Sequence, residues 1–369
     1  MKDRICCIFN LAPHYNEPIF RLMDEELKCD FYIGNEVGVP IQLMDYNKLK
    51  GFKKSLKFVS LISHFYWQKG AVNTALKPYE HYIITGEPYS LSTWLILIIT
   101  KISNKKTYLW SHGWYGNETL IKKNVKKLFF KLATKVLLYG DYARNLMINE
   151  GIPSAKLISI YNSLDYEKQV ETRKSLTHSK VFLDHFNTNY PTIIYIGRIQ
   201  KAKKIDLLIE AIFELRKVNL HANLVIIGKD IDGSNIKSLV DKYELNNQVW
   251  FYGECYDEKE IGELIFNSNV CVVPGNIGLT VMHSFVYGTP VITHNNFENH
   301  GPEFEAIIPG KNGDFFVENS VNDLCEKIKT WISINDLERE SVRGSCYSII
   351  DEKYNCFEQM KILHKTLGV

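Results

Sequence analysis

GRIQKAKKID at residues 197–206 and PGNIGLTVMHSFVYGTPVIT at residues 274–293 each read as the end of a strand, a tight loop and the start of a helix. In the first, the apolar run Thr192 to Ile196 stops at Gly197, and Arg198, Lys201, Lys203 and Lys204 follow before the amphipathic stretch Ile205 to Leu215. In the second, Val270 to Val273 stops at Pro274, and Gly275 and Gly278 precede a helix-like stretch from Leu279 to Tyr287. Glycine lets backbone N–H groups approach a ligand closely, and a helix N-terminus behind the loop adds partial positive charge. With a basic cluster opposite, the expected guest is a diphosphate.

Outward from these two loops the pattern repeats. Strand-like runs at Ile5 to Phe9, Phe31 to Ile33, Tyr82 to Thr85, Thr107 to Trp110, Val136 to Tyr139 and Leu157 to Tyr161 alternate with helix-length segments. A second series follows at Thr192 to Ile196, Asn223 to Ile227, Val249 to Tyr252, Val270 to Val273 and Pro290 to Thr293. Alternating strands and helices give a parallel sheet covered on both faces, so the expected fold class is α/β with two doubly wound, Rossmann-like domains. The expected boundaries are 1–165 for the first domain, 166–345 for the second and 346–369 for a terminal helix, with a polar linker from about Tyr166 to Asn189.

Composition bounds what such a chain can be. At 369 residues with 45% hydrophobic content it can bury sizeable cores. Its eight cysteines form no CxxC pair, which fits reduced thiols in a cytosolic protein. The N-terminal MKDRICCIFNLAPHYNEP lacks a long apolar region and a small-residue cleavage site, and reads as the first strand. Leu91 to Ile102 is too short for a membrane span and reads as a buried helix. Charge is uneven. Residues 1–165 hold 22 Lys and Arg against 14 Asp and Glu, a balance of +8, leaving −6 for the rest, so the first half is expected to face something anionic.

Gly197, Arg198, Lys203 and Asp206, with Pro274, Gly278, Gly288, Pro290 and Val291, are in register with the donor-binding domain of family 4 glycosyltransferases. The chain resembles that family from about Thr192 to Gly313, and Asn162-Ser163-Leu164-Asp165 resembles the segment that ends the family's first domain. The resemblance implies a GT-B architecture, two Rossmann-like domains facing across a cleft, with the terminal helix packing back on the first. It implies a sugar transferred from a nucleoside diphosphate to a hydroxyl, with retention of anomeric configuration and without a metal.

Residue roles follow. Arg198, beside Gly197, and Lys203 would neutralise the diphosphate, the arginine through paired N–H groups and the lysine as a point charge. The family's two loop glutamates fall on Gly275 and His283; Asn276, Ile277, Gly278 and Leu279 keep their backbone amides, and His283 can still reach a ribose hydroxyl, with a core histidine between helix and sheet as the alternative. Lys204 replaces the family's glycine and is expected to add charge. Glu305, rather than Glu303, has the register of a residue near donor sugar and ribose. His112 matches a histidine beside the transferred sugar, with a structural histidine as the alternative. His14 and Glu17 are acceptor-side candidates, for which an ordinary polar loop is an equal reading.

No metal is expected, because Asp230-Ile231-Asp232 has no supporting ligands, and no other cofactor is implied. The 118–138 segment mixes Lys122, Lys123, Lys126, Lys127, Lys131 and Lys135 with apolar residues at helical spacing, and reads either as a helix docking on anionic lipid or as one packed on its own sheet. Nucleic acid is not expected, since no aromatic-basic module accompanies the charge. The expected protein is therefore a cytoplasmic glycosyltransferase, peripheral at the inner membrane face, acting on a lipid-linked glycan of the polysaccharide, capsule or O-antigen type. The competing readings are a nucleotide-sugar epimerase and a non-catalytic sugar-nucleotide-binding subunit.

Overall fold

The computed structural model describes residues 4–34, 42–62 and 64–369. The chain divides into two compact units, Met1–Asp165 together with Tyr354–Val369, and Tyr166–Lys353.

Unit 1 is built on eight strands: β1 (Ile5–Phe9), β2 (Asp30–Gly34), β3 (Phe52–Ser60), β4 (Tyr66–Lys69), β5 (His81–Thr85), β6 (Lys106–Ser111), β7 (Lys135–Leu138) and β8 (Leu157–Ser159). Their order is β4-β3-β2-β1-β5-β6-β7-β8, parallel throughout except for the β3–β4 hairpin. The direction of winding reverses between β1 and β5, the place where a doubly wound sheet opens a crevice at its strands' C-terminal ends. Helices α1 (Glu17–Leu27), α2 (Leu91–Ile102), α3 (Leu120–Leu132) and α4 (Asp141–Asn149) connect the strands. A core containing Tyr82, Ile96, Leu97, Trp114, Phe129 and Phe130 lies under α2 and α3.

Unit 2 has six parallel strands, β9 (Thr192–Ile196), β10 (Asn223–Ile227), β11 (Val249–Gly253), β12 (Val270–Val273), β13 (Val291–His294) and β14 (Gly313–Phe316). Their order, β11-β10-β9-β12-β13-β14, is the Rossmann order, with its switch between β9 and β12. Every residue of β9, β10 and β12 is buried, which is why these read as continuous apolar runs. Helices α5 (Tyr166–Ser175), α6 (Val181–Phe186), α7 (Ile205–Lys217), α8 (Ile236–Lys242), α9 (Glu258–Asn267), α10 (Thr280–Val286), α11 (Val321–Ile332) and α12 (Asp336–Glu352) surround the sheet.

Several expectations change. Strands β3, β4 and β14 were not anticipated. The polar linker is mostly helical: α5 is fixed to α12 by Arg173, whose guanidinium donates to both oxygens of Asp351 at 3.1 and 2.9 Å. The single terminal helix over 346–369 is instead two helices, because Asn355 accepts from the amides of Phe357 and Glu358 and so starts a new one, α13 (Cys356–Leu367). Only the second belongs to unit 1, where Gln359 donates to the Tyr161 carbonyl at 2.9 Å and His364 pairs with Glu26 of α1 at 2.8 Å. The 118–138 segment is a helix only as far as Leu132, and Lys135 already belongs to β7. Leu91 to Ile102 is helical as expected but only half-buried, since Leu91, Leu95, Ile98 and Ile102 face outward.

Candidate functional site

The switch of unit 2 brings the two glycine loops together. Lys203 ends a single helical turn (201–203) after β9, and the Pro274–Leu279 loop follows β12. The amide of Gly275 donates to the Lys203 carbonyl at 2.9 Å, and that of Asn276 to the Ala202 carbonyl at 3.1 Å. This contact dictates the residue at 275. A Cβ there would lie 2.0 Å from the Ala202 oxygen, so no side chain fits, and the family's glutamate could not be accommodated on this backbone.

Ile277 is anchored by a residue that sequence reading overlooked. Its amide donates to His300 Nδ1 at 3.1 Å, while Nε2 of the same ring lies 2.8 Å from the His294 carbonyl. Those partners assign the proton to Nε2. Burial is the main cause pushing His300 down to about 4, so the ring stays neutral and keeps both bonds. The amides of Gly278, Leu279 and Thr280, next along the chain, have no protein acceptor among the described residues.

Two cations border this loop. The ammonium of Lys203 donates to the Asn276 carbonyl at 2.6 Å. Desolvation, then the nearby Arg198 guanidinium, pushes it down to about 8, while the carboxylate of Glu303 acts in the opposite sense. Arg198 is exposed and forms no ion pair among the described residues. Lys204 is excluded from this group. Its backbone is left-handed at φ 50°, the conformation a glycine would adopt freely, and its ammonium is held by Glu318 at 2.7 Å and Asn319 at 2.8 Å. The charge it was expected to add goes elsewhere.

The remaining unit 2 candidates divide. Glu303, not Glu305, lies against the loop: its Oε2 is 3.6 Å from where a Cβ on Gly278 would stand. Glu305 is half-buried on the same short segment, Pro302–Ala306. His283 is engaged by Glu258 at 2.9 Å, and the same carboxylate oxygen accepts from Tyr287 at 2.5 Å and Gln169 at 3.0 Å. Burial alone would raise Glu258, but these bonds outweigh it and hold the carboxyl at about 2. Asp230 accepts from the amide and hydroxyl of Ser234 and closes its own turn.

In unit 1 a cavity of about 460 Å³ opens at the ends of β1, β5 and β6, the sheet's own switch. His112 lines it, its ring 4.8 Å from that of Tyr139. The residue is exposed to solvent, yet the surrounding walls, then the Lys126 ammonium, push the imidazole down to about 4, leaving a neutral donor or acceptor at pH 7. Two polar residues that sequence reading missed share the wall. Glu87 Oε2 accepts from Tyr66 at 2.7 Å and from Asn10 at 3.1 Å. Tyr15, Tyr89 and Trp110 supply aromatic surface. His14 and Glu17 do not line the cavity: His14 contacts the Gln42 carbonyl at 3.2 Å, and Glu17 is paired with Lys48 at 2.9 Å.

Residues 182–343 match the family model described as glycosyl transferases group 1. The matched segment lies wholly within unit 2. An uncharacterised glycosyltransferase of Methanocaldococcus jannaschii is 24% identical over 244 residues, 65% of this chain and 59% of that protein. An O-antigen biosynthesis glycosyltransferase of Escherichia coli is 29% identical over 149 residues, 39% of each. The chain thus spans 59% and 39% of the length of these two relatives. In fold it is similar to the Anabaena protein HepE, solved in complex with UDP, with a TM-score of 0.74 at 12% identity over 99% of both chains. The two parallel-sheet units have the GT-B fold.

Proposed function

We propose that the protein transfers a sugar from a nucleoside diphosphate donor, held on unit 2, to a hydroxyl of a lipid-linked glycan, held on unit 1. The observation that carries this reading is the pair Arg198 and Lys203, near enough that the guanidinium adds to burial in lowering the ammonium, beside the open amides of Gly278 to Thr280. The repulsion within this pair, which Glu303 offsets only in part at Lys203, is relieved by a diphosphate. The leaving diphosphate is then stabilised by fixed charge and N–H dipoles, and the reaction needs no metal. The UDP bound to HepE supports a nucleotide donor, and the O-antigen role of the Escherichia coli relative supports a glycan acceptor.

Glu303 takes over the position beside the loop that Gly275 leaves without a carboxylate, and neutral His112 hydrogen-bonds the sugar near its reacting carbon. Anomeric configuration is retained, as the family 4 resemblance implies. Unit 1 works close to an anionic membrane surface, which the 118–138 segment contacts through α3. Calorimetric titration with UDP, GDP and ADP, followed by transfer assays with the sugar forms of the tightest nucleotide, tests the reading. It fails if no nucleoside diphosphate binds, or if Arg198→Ala binds as the wild type does.

A second reading, a sugar-nucleotide binder without turnover, draws on the engagement of His283 by Glu258. Donor binding with no transfer to any lipid-linked acceptor would select it.

A further inference from the structure

Helix α2 buries three hydroxyl residues alongside Ile96 and Leu97 and still turns a row of apolar residues outward. Ser92, Thr93 and Thr100 are buried and satisfied locally: Ser92 Oγ accepts from the Gln68 amide, Thr93 donates to Ser90, and Thr100 donates to the Ile96 carbonyl. Leu91, Leu95, Ile98 and Ile102, at spacings of four, three and four, form one outward stripe, with Ile102 81% exposed. Neighbouring elements extend it. Trp94 of α2 packs on Phe129 of α3, whose own Ile121, Val125 and Leu128 face solvent. On the other flank, Tyr66 at the start of β4 donates its amide to Tyr89, and the hairpin tip exposes Leu61, Phe65 and Ile62, the last at 85%. Soluble surfaces rarely carry contiguous apolar area on three adjacent elements.

The two helices of this face carry charge of one sign. Helices α2 and α3 contain no Asp or Glu. Lys123 and Lys126 are internally paired, with Glu150 and Glu118, and cannot serve an outside partner without losing those bonds. Lys101, Lys122 and Lys131 are exposed and form no ion pair among the described residues. Lys156 donates to the carbonyls of Lys131 and Ala133 at 2.9 and 2.7 Å, at the C-terminal end of α3, and the charges of Lys101, in the last turn of α2, and Lys131 both act on its ammonium.

We propose that this face docks on an anionic bilayer, with α2 and the β3–β4 tip inserting apolar side chains and the Lys101–Lys131 cluster contacting lipid phosphate. The acyl boundary accepts the stripe, and the headgroups accept the ammonium groups, a division that an acidic protein groove offers only by coincidence. Helix α3, for which the sequence left lipid docking and packing on its own sheet as alternatives, is thus the secondary element, and α2, with no lysine until its last turn, is the principal one. This deepens the lipid-linked acceptor reading, but its test needs neither donor nor acceptor.

The full chain is floated with vesicles of phosphatidylcholine alone and of an equal mixture with phosphatidylglycerol, at low and high salt. Binding to the anionic vesicles is expected, and Leu95→Asp with Ile98→Asp should weaken it by at least about tenfold. Lys101→Glu with Lys131→Glu should abolish the preference for phosphatidylglycerol. Val218→Asp and Leu337→Asp, at exposed apolar positions of unit 2, should bind as the wild type does. All these positions are on the surface, so thermal midpoints and nucleotide titration should stay unchanged and will separate loss of docking from loss of fold or of the donor site. Failure of the wild type to bind anionic vesicles at low salt, or full binding by the α2 double variant, overturns the proposal. So does a dimer in sedimentation that the α2 variant dissociates, which would assign the face to a second copy.

Discussion

The two switch points use different means. In unit 2 the loops after β9 and β12 are joined backbone to backbone, and what remains for a ligand is a row of amides and two cationic side chains. In unit 1 the loops after β1, β5 and β6 stand apart around a cavity of about 460 Å³ lined by aromatic rings, with Glu87, Asn10 and His112 among its polar groups. The first arrangement suits a phosphate, which has charge and little shape. The second suits a sugar, which has shape and hydroxyls but no charge. If the comparison is correct, damage to unit 2 should appear in donor binding, and damage to unit 1 in acceptor kinetics.

The largest effect is expected from Arg198→Ala combined with Lys203→Ala. Removing both charge-assisted contacts should lower transfer by about 10²–10³-fold. The thermal midpoint should move little, because neither side chain packs in the core, and donor affinity by calorimetry should fall with the rate. A normal donor affinity would break the comparison at its strongest point. Next comes Gly275→Ala. Its methyl would stand 2.0 Å from the Ala202 carbonyl, a backbone atom that cannot swing away. We expect a loss of about 2–4 kcal/mol in urea unfolding and a weakened donor site. Gly275→Glu, the residue the family resemblance would put back, should be no better. A Gly275→Ala protein of wild-type stability would show that the two loops are not in contact.

This difference also explains what could be read in advance. Strands β9, β10 and β12 were bounded residue for residue from sequence, because each is an unbroken apolar run ended by a turn residue. Strand β3 escaped because its sequence, FKKSLKFVS, mixes three lysines into a partly exposed strand near the sheet edge, where hydrophobic periodicity fades. Arg198 and Lys203 could be singled out as phosphate candidates because both stand within a few positions of one glycine turn. Glu87 and His300 were not. Each acquires its place only when the fold brings a distant loop against it, Asn10 in one case and Ile277 in the other. The constraint at Gly275 was visible only as a missing glutamate, since the cause is the close approach of Ala202, 73 residues earlier in the chain.

Glu87→Gln sharpens the unit 1 side of the comparison. The amide keeps the shape and the Tyr66 hydroxyl as a neighbour, but loses the charge that orders Asn10 and is available to acceptor hydroxyls. We expect acceptor KM to rise about tenfold with donor affinity unchanged. An equal loss in donor titration would mean that Glu87 acts through fold stability, and the assignment of the cavity to the acceptor would be withdrawn.

The smallest effect is a pH dependence of donor affinity, and its sign is fixed by Lys203. Burial and Arg198 hold this ammonium at about 8 against its ordinary 10.5. In the empty protein it therefore loses its proton as pH rises through 8, while a bound diphosphate keeps it charged. Binding above pH 8 then requires proton uptake, and affinity should fall by about fourfold between pH 7 and 8.5. Fold stability should move the other way. Between the folded and unfolded values the unfolded chain holds a proton that the folded chain does not, so this lysine's contribution to stability rises with pH from 8 to 10.5. Arg198→Ala removes the second cause of the shift, so the midpoint of the affinity profile should move upward even as overall affinity drops. A profile that is flat across pH 8 in the wild type would place Lys203 away from the diphosphate, and one that keeps its midpoint in Arg198→Ala would separate the two cations.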